Sequence, residues 1–166
     1  MSVIDELIRA NKTYAEDFAL GHLPTPPARG LVVVACMDAR QDIFLMLGLK
    51  PGDALIIRNA GGIVTDDVLR SLIVAQHLLS AREVMIINHT ECGLLTFDDD
   101  EMRAYLSRTT GTDAATPKHF YSFSDLEQNV RSQVLTVKSH PWIYSDTTVR
   151  GFIYDVTTGR LREVST

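Results

Sequence analysis

The chain has 166 residues, 45% of them apolar and 22% charged, with a net charge of −5. This is an ordinary globular composition, long enough for one domain with a real core. Its Lys and Arg residues form no cluster that would hold nucleic-acid phosphates, and no apolar stretch approaches the ~20 residues needed to span a bilayer.

From the N-terminus, Met1 to Phe18 carries Asp5, Glu6, Arg9, Lys12, Glu16 and Asp17. That interrupts any secretory apolar segment, so a cytoplasmic protein is expected. Ser2-x-x-Asp5 has the form of a capping box. Ile4, Leu7, Ile8, Asn11, Tyr14, Ala15 and Phe18 then follow helical spacing. Gly21 to Pro27 holds three prolines and predicts an extended arm. Residues 1–29 therefore read as a protruding helix and arm, packed on their own sheet or on a neighbour's.

Leu31 to Ala35 is an unbroken Val/Leu run, as in a parallel strand buried on both faces. Ala54 to Ile57 and Val84 to Ile87 read the same way. Gln41 to Leu47 predicts a short helix, and Thr65 to Ser80 a longer one capped by Thr65, with Asp66 and Asp67 in its first turn. Further helices are expected over Asp99 to Ser107 and Ser124 to Lys138, the latter opening on Ser124-x-x-Glu127. Val149 to Val156 and Leu161 to Val164 read as a strand and its hairpin return. The pattern predicts a single α/β domain over residues 1–166. Its central sheet is mainly parallel and flanked by helices, with an added C-terminal strand and hairpin.

In parallel sheets, ligands bind beyond the carboxyl ends of the strands. Three segments are expected there: Cys36-Met37-Asp38-Ala39-Arg40, Arg58-Asn59-Ala60-Gly61-Gly62 and His89-Thr90-Glu91-Cys92-Gly93. The first and third contain both cysteines of the chain. Without an export signal a disulfide is disfavoured, which leaves metal binding or quiet burial. Taken singly, Cys36 ending an apolar run suits a small buried hydrophobe, and His89-x-x-Cys92 is a short match. Taken together they supply two thiolates and one imidazole, the donors zinc prefers, and leave a coordination position for water. Asp38 and Arg40, two positions apart, are placed to form a bidentate ion pair. The pair would keep Asp38 ionised beside a zinc-bound hydroxide. Were it to open, Asp38 could become a fourth ligand and close the site.

These two strings and the strands before them resemble the β-class carbonic anhydrases, whose pattern is Cys-x-Asp-Ser/Ala-Arg followed by His-x-x-Cys-Gly. Arg58-Asn59-Ala60-Gly61 matches a third family segment. The resemblance covers roughly residues 31 to 95. It implies one zinc per subunit on Cys36, His89 and Cys92, with Asp38 and Arg40 as a catalytic dyad. Gly93 would offer its N–H to a substrate oxygen. The reaction would be hydration of carbon dioxide to bicarbonate, carried out by a homodimer or homotetramer whose N-terminal helix reaches over the partner. No nucleic acid or membrane partner is expected. Alternatives are hydrolysis of carbon disulfide or carbonyl sulfide on the same scaffold, or a non-catalytic zinc protein closed by Asp38.

Two positions depart from common family usage. Ala39 stands where many members have Ser. Val33 stands where members with a noncatalytic bicarbonate pocket carry Trp, so that pocket is not expected.

His22, His77, His119 and His140 are candidate proton shuttles, since imidazole titrates near neutrality, but nothing places them near the zinc and surface or helix-face positions explain them better. Asp98 to Glu101 lacks the ligand spacing of a calcium loop and reads as a charged helix start. Gly61-Gly62 suggests a close backbone approach, and Trp142 a packing anchor.

Overall fold

The computed structural model describes residues 2–165; Met1 and Thr166, the outermost positions of the expected domain, lie outside the described residues. Strands β1 (Leu31–Cys36), β2 (Ala54–Asn59), β3 (Glu83–His89), β4 (Thr148–Tyr154) and β5 (Leu161–Val164) form one sheet in the order β2-β1-β3-β4-β5. The first four are parallel, and β5 returns antiparallel to β4. Among the described residues five α-helices connect or flank them: α1 (Val3–Glu16), α2 (Ile43–Leu47), α3 (Asp66–Leu79), α4 (Asp99–Thr110) and α5 (Leu126–Lys138).

The apolar runs become strands because both faces of the sheet centre are covered. On one face Val32, Val34, Ile86 and Val149 pack against Val68 and Leu72 of α3 and Val134 and Val137 of α5. On the other, Val33, Ala35 and Ile87 meet Ile43 of α2. Each fully buried Val, Leu or Ile contributes about 1.5–3 kcal/mol relative to exposure. β2 departs from the expectation of burial on both faces, because it is the edge strand and all its residues stay partly exposed. The second face is the thinner one, covered by a helix of only five residues.

The helix starts follow their side-chain caps. Ser2 and Asp5 form the capping box expected for α1. Thr65 accepts from the Val68 N–H at the start of α3. Asp98 and Glu101 form a second capping box, so the acidic run serves a helix start. Two starts differ from expectation. Asp125, not Ser124, caps α5, because its carboxylate takes the Gln128 N–H. Asp42 caps α2, so Gln41 precedes the helix, with its side chain buried.

α1 buries none of its residues, and Val3, Ile4, Leu7 and Ile8 are all exposed. Its apolar stripe therefore does not pack on its own sheet. Trp142 corrects another expectation. It is 68% exposed, because the turn after Pro141 carries its ring outward to the edge of His140. No helix among the described residues is long and apolar enough to cross a membrane.

Candidate metal centre

Parallel pairing brings the strand ends together. Cys36 is the last residue of β1 and His89 the last of its neighbour β3, so both strings begin inside strands rather than after them. Thr90 is then fixed to the end of β4: its N–H donates to the Tyr154 carbonyl, and its hydroxyl accepts from the Val156 N–H. Glu91 turns the chain with φ +56°, an uncommon conformation for a non-glycine residue, and returns Cys92 toward Cys36. The Cys36 and Cys92 sulfurs and a His89 ring nitrogen lie within 4.8 Å of one another, in three buried residues.

The Cys36–Asp38 segment is pinned from β2. Arg58 Nε donates to the Cys36 carbonyl at 2.9 Å and Nη2 to the Asp38 carbonyl at 2.7 Å. The Met37 N–H donates to the Asn59 carbonyl. Asp38 and Arg40 form the expected bidentate pair: Nε meets Oδ1 at 3.0 Å and Nη2 meets Oδ2 at 2.8 Å. Arg40 Nη1 also donates to Glu91 Oε2 at 2.9 Å, a partner that sequence spacing did not suggest.

The donor set suits zinc. Both cysteines are free thiols. His89 Nδ1 lies 2.8 Å from the Thr90 carbonyl, which selects the tautomer protonated there. Nε2, facing Asp38 Oδ2 at 3.8 Å, is buried without a hydrogen-bond partner. An imidazole lone pair orphaned beside two sulfurs fits a soft, tetrahedral cation.

The three groups also perturb one another strongly, sharing protons where no cation is held. The Cys92 thiol proton and backbone N–H groups lower Cys36 well below an ordinary thiol, although burial opposes this. Cys92 is raised, because its proton is held by Cys36 and because it is buried. Burial pushes His89 down, but the charge at Cys36 outweighs this and raises it. The Arg40 guanidinium holds the Asp38 carboxyl far below the usual carboxylate range, so Asp38 stays ionised through neutral and mildly acidic pH. Such perturbed groups converging in a cavity mark a functional site.

A cavity of about 400 Å³ opens onto these residues. Gly93 borders it beside Cys92, and Leu94, Phe97 and Met102 give it apolar walls. Met102 was missed at sequence level, because nothing in its spacing ties α4 to the candidate metal ligands. His22, His77, His119 and His140 do not line the cavity. Each is instead held elsewhere, His77 for example between the Trp142 carbonyl and the Tyr144 hydroxyl.

Gly62 supplies the close approach that the glycine pair suggested. Its φ is +64°, and an added Cβ would lie 2.9 Å from both the Ala35 carbonyl carbon and the Cys36 nitrogen. Those neighbours are backbone and cannot yield. Gly62→Ala is expected to destabilise the fold by at least ~1–3 kcal/mol, read by denaturant unfolding. Unchanged stability would mean that the turn relaxes freely.

The family model described as carbonic anhydrase matches residues 31–161, a span holding every candidate ligand. The Beta-carbonic anhydrase 1 of Mycobacterium tuberculosis is 43% identical over 165 residues, 99% of each chain. A crystal structure of carbonic anhydrase from Streptococcus mutans matches with a TM-score of 0.93 at 42% identity, covering 99% of each chain. A carbon disulfide hydrolase from an Acidianus species is 33% identical over 97% of this chain and 90% of its own. With the family model spanning most of the chain and full-length relatives at this identity, the chain belongs to the carbonic anhydrase family, in its β class.

Proposed function

We propose that the chain catalyses reversible hydration of carbon dioxide to bicarbonate and a proton, with one zinc ion held by Cys36, His89 and Cys92. The observation that carries this reading is the buried, unpartnered His89 Nε2 beside two sulfurs, with the ionised Asp38 3.8 Å away. Zinc in such a site supplies Lewis acidity, bringing a coordinated water's ionisation near neutral pH. The protein's own groups do the orienting. Asp38, kept a pure acceptor by Arg40, takes a hydrogen bond from the nucleophile through Oδ2 and so aims its lone pair into the cavity. Arg40 holds Asp38 away from the metal, and Glu91 steadies Arg40. The Gly93 N–H receives a substrate oxygen. Leu94, Phe97 and Met102 surround a small apolar molecule and limit competing water. Were the Arg40 pair to open, Asp38 would be free to turn toward a metal held by Cys36, His89 and Cys92 and would then close the site.

Carbon dioxide is preferred over carbon disulfide because the β-carbonic anhydrase relatives share 42–43% identity, against 33% for the disulfide hydrolase. Parallel assays on one zinc-loaded preparation decide between them. Faster turnover of carbon disulfide than of carbon dioxide would reverse the assignment.

The working unit in this reading is a homodimer, or a tetramer of paired dimers, in a reducing cytoplasm that keeps both thiols free. The exposed stripe of α1 and the thinly covered sheet face support that assembly. Ile4→Glu with Leu7→Glu is expected to convert the assembly into single chains, measured by light scattering. An unchanged assembly mass would remove α1 from the interface.

A further inference from the structure

A line of side-chain amides runs from α5 to the metal centre. Asn88 precedes His89 and is fully buried. Its Nδ2 donates to the Gly61 carbonyl at 2.8 Å and to the Gly62 carbonyl at 3.3 Å. Its Oδ1 accepts from Asn129 Nδ2 at 2.8 Å. Asn129 Oδ1 accepts from Gln133 Nε2 at 3.1 Å, and Gln133 Oε1 takes the Val64 N–H at 2.6 Å. Both ends of the line therefore close on one turn, residues 61–64. That turn carries the Gly61 N–H, which donates to Cys36 Sγ at 3.3 Å.

The reach from α5 depends on Gly151 of β4. A Cβ there would collide with Val130 and Val134, so the glycine lets α5 lie close against the sheet. Every side-chain polar atom of this line, from the buried Asn88 to the half-buried Asn129 and Gln133, has a partner. Fully satisfied buried networks rigidify their surroundings and specify one geometry.

We infer that Asn88, Asn129 and Gln133 are positioning residues that hold the 61–64 turn so that the Gly61 N–H hydrogen-bonds the Cys36 thiolate and sets its donor strength toward the metal. An N–H···S bond draws charge from sulfur, weakens its donation and leaves the metal the stronger Lewis acid. Outer groups of this kind shift metal affinity or activity by ~10–100-fold. The inference rests on Cys36 being a metal ligand, as proposed above.

The test uses the full chain loaded with cobalt(II), in the parent, Asn129→Ala and Gln133→Met. Gln133→Met keeps the length of the side chain and is the milder change, so it keeps the test open if Asn129→Ala does not fold. Both variants are expected to move the sulfur-to-cobalt charge-transfer band to lower energy. Exchange of the Gly61 amide should quicken by ~10-fold or more, while the amides of α5 keep their protection. A folded variant with the parent's band and the parent's Gly61 exchange overturns the inference. A parent that shows no sulfur-to-cobalt band instead contradicts the metal-ligand reading. Gly61 exchange in the metal-free chains then still reports whether the amides hold the turn.

Discussion

Replacing Asp38 by alanine leaves zinc bound and lowers carbon dioxide turnover by ~10²–10⁴-fold, the range carried by a positioned proton-handling group. The reason is geometric. Both Asp38 oxygens are engaged by Arg40, so the carboxylate is not needed to retain the metal. Oδ2 nevertheless lies only 3.8 Å from the unpartnered His89 Nε2, near enough to accept a hydrogen bond from a water that a metal at the proposed site would hold. Loss of the acceptor frees the nucleophile to rotate, and Arg40 keeps only Glu91. The paired measurements are metal content and turnover. Turnover equal to the parent's would remove Asp38 from catalysis, and loss of zinc would make it a ligand instead.

The same pair fixes a sign for pH. A carboxyl whose folded pKa is depressed stabilises the fold above its unfolded pKa, and that stabilisation is lost as pH falls through the folded value. For Asp38 the window lies below the ordinary carboxylate range. Activity changes between mildly acidic and alkaline pH therefore arise from other groups.

Cys92→Ser is expected to abolish zinc retention. Serine replaces a thiolate with a neutral hydroxyl of much weaker affinity for zinc and leaves two protein ligands. The loss should exceed the ~100-fold associated with removing an outer-shell partner. Because a ligand that binds only the folded chain stabilises it by mass action, zinc should raise the melting temperature of the parent and not of the variant. A full metal complement after dialysis of the variant would contradict the ligand set.

Much of this was legible in the residues. Unbroken apolar runs mark strands covered on both faces, and for β1 and β3 that inference carried Cys36 and His89 to one sheet edge. Local rules also worked where the information is local: Ser2 and Thr65 cap the helices that follow them, and the acidic run from Asp98 serves a helix start. The failures lie where three-dimensional neighbours decide. β2 has an apolar run like that of β1, but strand order puts it at the edge. Trp142 has an anchor's chemistry but no element over it. Arg40 and Glu91 meet across 51 positions through a turn at positive φ that no spacing announces. Asn88 did leave a signal, as a lone amide inside an apolar strand beside a candidate metal ligand. Its partners on α5 could be named only once the helix was seen against the sheet.

Stopped-flow hydration of carbon dioxide by the zinc-loaded and metal-stripped chain, with zinc counted per chain, tests the proposed activity most directly. The expected result is one zinc per chain, rapid hydration from neutral to alkaline pH, loss on stripping and recovery on adding zinc back. A chain that holds its zinc and hydrates no carbon dioxide at any pH in that range would contradict it.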